Sequence, residues 1–414
     1  MSKGRLSLVA NISGTMRGPP EAAHTFDKLF LRGLSGRLTG SLLAVPKSCG
    51  SRRYLANSSV PPIASRLWRS FFYVPGDRPK MIRKISDSYA TVEASNFATH
   101  IPDLIVLDCE DAVGLDRKDE ARKTVSDSLA IPNGGQFQVL REELKRTLIV
   151  RINAVDSGFA HTDLDAVLTA AIHSAEVSGG RWPGPDLFCL PKVESAEELA
   201  WLADHIDRRL ANSTSVSGCR SALGLVAMIE SCGAVINLRK ICQTVTAKSL
   251  PIPLLGVVFG SDDYCVSLGV DRSAENTELS FARQYVPVVA KAFGLSSIDM
   301  VDIDFKGNIY MEKLRSNCRY GAQLGFHGKQ TIHPAQLPIV NGSFAPSEAR
   351  IEWSRALLAE AEQHSVGHAV GAGAFNFRGR MIDRPTLRQA EHTVRLANLM
   401  SMQVSAKIHR KDTD

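Results

Sequence analysis

From about Trp68 onward the chain repeats one unit eight times: a short apolar run, closed by polar or glycine residues, then a helix-compatible stretch. The runs are Phe71–Gly76, Leu104–Asp111, Leu148–Asn153, Leu187–Glu194, Leu223–Glu230, Leu255–Asp263, Ile298–Phe305 and Gly325–Pro334. They are apolar throughout rather than alternating, as parallel strands covered on both faces are. The intervening stretches carry helical signals. In "SAEELAWLADHIDRRL", Ser195 followed three positions later by Glu198 is a capping box, and "DRKDEARKTVSDSLA" is amphipathic. Eight such units predict an α/β fold, a TIM (β/α)8 barrel, with a doubly wound open sheet as the competitor.

Pro132–Arg146, with Asn133-Gly134-Gly135, reads as a surface insertion. Beyond the eighth run, residues 344–364 read as one long helix. "GHAVGAGAF" at 367–375 reads as a flexible link and 386–400 as a further helix. The expected division is a leader at 1–66, the barrel at 67–343, and a C-terminal helical extension at 344–414.

The leader is set apart by charge. Residues 1–70 hold eleven Lys or Arg and two acids, Glu21 and Asp27, whereas residues 71–414 hold 38 basic and 41 acidic groups. The formal charge of +6 therefore sits in the leader, and the body gives no reason to expect a nucleic-acid partner. A basic, acid-poor segment with an amphipathic stretch at Phe26–Val45 suits a mitochondrial transit peptide and hence the matrix. No apolar run approaches the roughly 18 residues that span a bilayer, so no membrane partner is expected. Eight cysteines lack CxxC spacing and read as free thiols, with no disulfide framework and no zinc site.

In a barrel of this kind chemistry sits at the C-terminal ends of the strands. Those ends carry Asp108, Glu110, Asp111, Arg151, Asn153, Lys192, Glu194, Glu230, Asp262, Asp263 and His333. Carboxylates gathered at close range resist joint ionisation unless a cation lies among them. Glu230 and Asp263, on neighbouring strands, could chelate a hard divalent ion, and carboxylates plus water suit Mg2+. Alternatively these acids cap helices or pair with Arg151 and Lys192. Lys80 and Lys84, four apart at the start of the helix after the first strand, share a face and could bind phosphates, or could be a solvated face. No GxxxxGK[ST], GxGxxG or GxSxG motif supports a nucleotide-binding or hydrolase reading. Lys192 is the one candidate for a Schiff-base lysine, and its Pro-Lys-Val-Glu context does not decide it.

The segments "FYVPGDRPKMIRKI", "DLIVLDCEDAV", "KDEAR", "VRIN", "LPKVES", "MIES", "VVFGSDDY", "KQTIHPAQ" and "GAFNFRGRMIDRP" occur in this order from about residue 70 to about 400. In this the chain resembles the citrate lyase β-subunit-like family, of HpcH/HpaI aldolase type. The resemblance implies a Mg2+-dependent barrel assembled as a homotrimer and acting on an acyl-CoA. It implies an oxo-acid-lyase that cleaves (S)-citramalyl-CoA to pyruvate and acetyl-CoA, with possible malate or β-methylmalate synthase side activity. By the same resemblance Tyr73, Lys80, Lys84, Ile332 and His333 fall on CoA or substrate contacts, and Arg151 on the substrate-binding arginine. Glu230 and Asp263 fall on the magnesium ligands. Asp383, in "MIDRP", falls on a catalytic aspartate that reaches a neighbouring subunit. The usual Gly-Gly-Glu-Asp-Phe around the second ligand is here Gly260-Ser261-Asp262-Asp263-Tyr264. Alternatives are a malyl-CoA lyase, a malate synthase-like enzyme, or a barrel that serves as a scaffold without catalysis.

Overall fold

The structure, a computed structural model, describes residues 66–411 except 131–136, 138, 214–215, 217–218, 220–221 and 367–373. The leader up to Ser65, most of the Gly-rich link and Asn133-Gly134-Gly135 lie outside the described residues.

All eight runs form strands, and they close into a parallel barrel in chain order. The strands are β1 Ser70–Pro75, β2 Leu104–Asp108, β3 Thr147–Arg151, β4 Leu187–Leu190, β5 Gly224–Ile229, β6 Leu254–Phe259, β7 Ser296–Asp299 and β8 Gly328–Thr331. Closure rests on β1 pairing with β8, Phe71 opposite Gln330, which excludes the open sheet. Every strand but β1 is shorter than its apolar run. The chain leaves the ladder where polar groups begin, so Cys109–Asp111 and Pro191–Glu194 become loops and Ser261–Asp263 become the first turn of a helix.

Successive side chains of a strand point to opposite faces, so each strand feeds two cores. Phe71, Tyr73, Val106, Ile149, Cys189, Val226, Met228, Val258 and Ile298 fill the barrel, with Trp68 below them. Phe72, Val74, Ile105, Leu107, Leu148 and Val150 face outward, under the helices. This two-sided burial is why the runs show no alternation. Extending the inward parity by one step, from Val106, Ile149 and Met228, places Asp108, Arg151 and Glu230 over the barrel axis.

The helix Ala196–Ala211 opens with the expected capping box, Ser195 Oγ accepting from Glu198 N and Glu198 Oε2 from Ser195 N. The expected surface insertion is partly a core element. Val139–Glu143 forms one wide helical turn, and Phe137, Leu140 and Leu144 enter the outer core beside the wholly buried Arg146. The Gly-rich sequence before it hides an apolar spacing of three and four residues from a reading of the pattern.

Buried ion pairs hold the N-terminal ends of the first strands. Arg69 and Arg146 converge on Asp103 at 2.8 and 2.6 Å, and Arg66 and Arg141 on Asp186 at 3.3 and 2.9 Å. After the barrel come the helices Glu348–Val366 and Arg384–Lys411. Between them lies an antiparallel hairpin that the sequence did not announce, β9 Phe375–Phe377 and β10 Arg380–Ile382. Leu357, Phe377, Ile382 and Ala390 form a small core for this arm. The helix Arg384–Lys411 runs past the N-terminal ends of β1, β7 and β8, where His392, Arg395 and Leu396 line a cleft with Arg69, Ser296 and His327. Among the described residues no helix is long and apolar enough to cross a membrane.

Candidate active site

At the C-terminal mouth, strand register and inward parity set Asp108 of β2 beside Arg151 of β3. Asp108 takes the guanidinium in a fork, Nε to Oδ1 at 2.7 Å and Nη2 to Oδ2 at 2.6 Å. Glu110 holds Nη1 at 3.0 Å, and the guanidinium lies 4.6 Å from the centre of the Tyr73 ring. Burial disfavours the charged guanidinium most strongly of any one cause, but Asp108, Tyr73 and Glu110 together outweigh it and hold Arg151 well above its ordinary range. Two paired edges leave part of the five-donor fork free to face a substrate. The buried Tyr73 hydroxyl donates to Gln330 Oε1 at 2.8 Å, and burial pushes it well above the usual phenol range.

Lys192, just after β4, adopts a left-handed φ of 52°, which a residue with a Cβ adopts at some cost. That conformation aims two groups in different directions. Its backbone N–H donates to Glu230 Oε2 at 2.7 Å, while Nζ pairs with Glu110 at 2.8 Å and Asp111 at 3.4 Å. Lys192 is thus a fixed, charged ion-pair partner, and its ammonium is held above its ordinary range against the pull of burial. A lysine so committed is unsuited to Schiff-base chemistry, which needs a neutral amine.

The acids of the mouth therefore sort into two groups. Asp108, Glu110 and Asp111 pair with Arg151 and Lys192, and Asp262 with Arg272 at 3.0 Å. Glu230 and Asp263 have no cation within ion-pair distance among the described residues, and Asp263 makes no hydrogen bond there. Burial, together with Glu110 and Asp263 and despite Arg151, pushes Glu230 up to about 7. Burial likewise raises Asp263, against Lys192. Gly260, between them in the chain, is obligatory because a Cβ there would collide with the Glu230 carboxylate. Two acids disfavoured in their charged form and lacking a cationic partner among the described residues fit a divalent cation. Among the described residues no three His, Cys, Asp or Glu side chains group to cage an ion alone. This is the donor set of Mg2+, which keeps waters and substrate oxygens alongside one or two carboxylates.

The remaining expected residues lie in two further places. Lys80 and Lys84 are exposed on the helix Pro79–Thr91, which begins at the mouth just after β1. Ile332 and His333 follow β8. The His333 ring stacks on Phe305 at 4.4 Å and 11°, and Ile332 is 39% exposed, so an apolar shelf sits at the rim. The wholly buried Gln336 fixes this shelf, and sequence reasoning passed over it. Its Oε1 accepts from Ile332 N and His333 N at 2.9 and 3.2 Å, and its Nε2 donates to Asp302 O at 2.8 Å. Phe305 and Gln330 were missed as well. The segment "KQTIHPAQ" contained both glutamines, but their partners lie in distant strands and loops. Asp383 is not brought to this mouth. It is exposed at the start of the helix Arg384–Lys411, and its Oδ1 accepts from Thr386 N and Oγ1.

Fold and mouth together define a (β/α)8-barrel enzyme class whose chemistry lies at the C-terminal ends of the strands. Within that class the sequence pattern of the HpcH/HpaI aldolase/citrate lyase family matches residues 69–334, and the chain belongs to that family. It is 35% identical over 331 residues to the mitochondrial citramalyl-CoA lyase of Homo sapiens, covering 80% of this chain and 85% of the other. It is 28% identical to the citrate lyase subunit beta of Leuconostoc mesenteroides subsp. cremoris, covering 80% and 94%. Among solved structures, CitE from Mycobacterium tuberculosis in complex with magnesium, acetoacetate and coenzyme A superposes with a TM-score of 0.55 at 25% identity, covering 80% and 97%.

Proposed function

We propose that the chain is a Mg2+-dependent lyase of CoA thioesters, cleaving (S)-citramalyl-CoA to pyruvate and acetyl-CoA in the mitochondrial matrix as a homotrimer. The observation that carries this reading is the unpaired Glu230 and Asp263 beside the immobilised Arg151. Similarity to citramalyl-CoA lyase supports the substrate and the compartment. The magnesium, acetoacetate and coenzyme A bound by CitE support the cofactor and the thioester.

Breaking the carbon–carbon bond turns the β-hydroxyl into the keto oxygen of the keto acid, its proton passing to water, and leaves the bonding pair on a thioester enolate; the barrier is the charge that develops on that oxygen and on the enolate. Glu230 and Asp263 would hold the cation, which when bound supplies Lewis acidity toward the carboxylate and hydroxyl oxygens of the substrate. Arg151 is held in its fork by Asp108 and Glu110, so its one remaining Nη2 N–H meets the developing oxyanion without reorganisation. Tyr73, tied to Gln330, closes the apolar side of that position. Lys80 and Lys84 take the CoA phosphates as point charges, and the Phe305–His333 shelf with Ile332 takes the adenine. Binding energy gathered at the rim then positions the reacting carbon atoms. Asp383 from a neighbouring subunit protonates the enolate carbon. In reverse it removes the α-proton of an acyl-CoA; adding that enolate of acetyl-CoA or propionyl-CoA to glyoxylate, with water then hydrolysing the thioester and releasing CoA, would give the malate and β-methylmalate synthase reactions.

The test is Mg2+-dependent pyruvate release from citramalyl-CoA, with malyl-CoA as a parallel substrate. Glu230→Gln keeps an acceptor for Lys192 N and removes the charge. It should weaken the half-saturating Mg2+ concentration at least about tenfold, since one charged ligand of two is lost. An unchanged Mg2+ titration would remove Glu230 from the metal site, and preferential turnover of malyl-CoA would reassign the substrate.

A further inference from the structure

The N-terminal end of the barrel, opposite the mouth, carries a second cluster of charge. A cleft of about 350 Å3 lies there between the barrel and the helix Arg384–Lys411. Lys291, His327, His392 and Arg395 line it. The other basic residues of the cleft are turned to carboxylates, Arg69 to Asp103 and Arg66 to Asp186. These four have no carboxylate within ion-pair distance among the described residues.

Their hydrogen bonds leave donors facing the cleft. His327 Nδ1 accepts from Ser297 N at 3.0 Å, so the proton of the neutral ring sits on Nε2. That Nε2 faces Lys291 Nζ at 2.9 Å, one donor opposite another unless the lysine gives up its charge. His392 Nδ1 accepts from Arg395 Nη2 at 2.8 Å, which places its proton on Nε2 as well. The cost shows in their titration. Burial first, then Lys291, His392 and Arg395, depress His327 to about 3. Burial and Arg395 lower Lys291, and burial, Arg395 and Lys291 lower His392. Three neighbouring groups thus suppress one another's charge.

Lys291 lies in the last turn of the helix Ser280–Ala292, where a lysine often serves only to complement the helix dipole. Here backbone N–H groups already occupy the final carbonyls: Leu295 N bonds Ala290 O and Gly294 N bonds Lys291 O. Gly325 N and Phe326 N do the same for Ala322 O and Gly321 O of the helix that ends beside it. The cleft therefore offers donors and positive charge with few free acceptors.

We propose that this cleft binds a small multivalent oxyanion, a phosphate or a polycarboxylate, between Lys291, His327 and the arm residue Arg395. Such an ion accepts from His327 Nε2 and Lys291 Nζ together, relieves the contact between these two donors and joins the arm helix to the barrel. The site is at the far end of the barrel from Lys80 and Lys84, so it is independent of the CoA reading.

The experiment is thermal unfolding of the full chain, without substrate, in inorganic phosphate and separately in citrate. Chloride matched for ionic strength is the reference. At 10 mM either anion should raise the midpoint by about 2–4 °C over chloride, the shift expected for binding well above its Kd. The stronger of the two identifies the class of oxyanion. Arg395→Gln and Lys291→Gln, both at exposed positions, should each abolish the shift, while the Lys80→Gln/Lys84→Gln double variant keeps it. Calorimetric titration of the wild type with phosphate gives the same answer without any variant. No shift beyond chloride, a shift that survives both cleft variants, or one lost with Lys80 and Lys84 would overturn the proposal.

Discussion

At the scale of residues, most of the mouth was legible because chemistry there is carried by side chains just past apolar runs. Asp108, Arg151, Lys192, Glu230 and Asp263 stood out as the polar closures of otherwise apolar segments. Their pairing was not legible. Which acids are neutralised depends on partners distant in the chain, 43 residues away for Arg151 with Asp108 and 82 for Lys192 with Glu110. Gln336 was hidden for the same reason, since its value lies in four backbone groups of two loops. It predicts a separable defect. Gln336→Leu removes acceptors from Ile332 N and His333 N and should loosen the shelf that takes the adenine. Losing hydrogen bonds of about 1–1.5 kcal/mol should raise KM for a CoA substrate by about tenfold. The corresponding pantetheine thioester, which has no adenine to place, should be turned over as by wild type. Steady-state kinetics on both substrates decides it, and an equal loss on both would reduce Gln336 to a structural residue.

At the scale of elements, strand existence was readable and strand ends were not. A run such as Leu187–Glu194 is uniformly apolar until Pro191, yet pairing stops at Leu190, because the loop must turn to bring Lys192 N to Glu230. The arm hairpin escaped notice because its strands have three residues each and its turn depends on Arg378 and Gly379 at φ of 50° and 78°. The clamp under β1, β2 and β3 was equally silent, since Arg69, Asp103 and Arg146 look like ordinary loop charges. In the fold all three are buried, and burial lowers Arg146 to about 10 despite Asp103. Asp103 is depressed in the opposite sense to its burial penalty by Arg69 and Arg146. Its stabilising contribution is therefore present above the ordinary carboxylate pKa and is lost as pH falls through the lowered folded value. Asp103→Asn strands two buried guanidinium groups and should cost about 3–5 kcal/mol at pH 7. Chemical unfolding at pH 7 and pH 3 checks this. The deficit should shrink in acid, and adding Arg146→Met should recover part of it at pH 7. A loss of the same size at both pH values would mean that Asp103 acts by packing and not by charge.

At the scale of the whole molecule, one expected residue has no place in the site of its own chain. Asp383 is exposed, caps the helix Arg384–Lys411 through Thr386, and belongs to an arm that runs toward the N-terminal ends of the strands. The carboxylates and Arg151 gather at the opposite ends. The proposed homotrimer would reconcile the two if each arm met the next barrel in a closed ring, since a head-to-tail contact of this kind can close on itself. The same geometry makes a quantitative prediction. Asp383→Asn leaves a barrel intact with a dead arm, and Glu230→Gln, assayed at Mg2+ well below its raised half-saturating concentration, leaves an arm intact with a barrel largely without the metal. Each should be nearly inactive alone, Asp383→Asn by about 10²–10⁴-fold in turnover, the scale of a lost general acid. After unfolding-free subunit exchange at equal concentrations, an active site needs an intact barrel beside an intact arm. Random pairing gives that in about a quarter of the sites, so about a quarter of wild-type pyruvate release should return. Exchange is verified independently with a tagged subunit, so silence cannot be blamed on failure to mix. If exchanged mixtures stay as inactive as their parents, Asp383 does not serve a neighbouring barrel, and the enolate must be protonated by a group within the mouth itself.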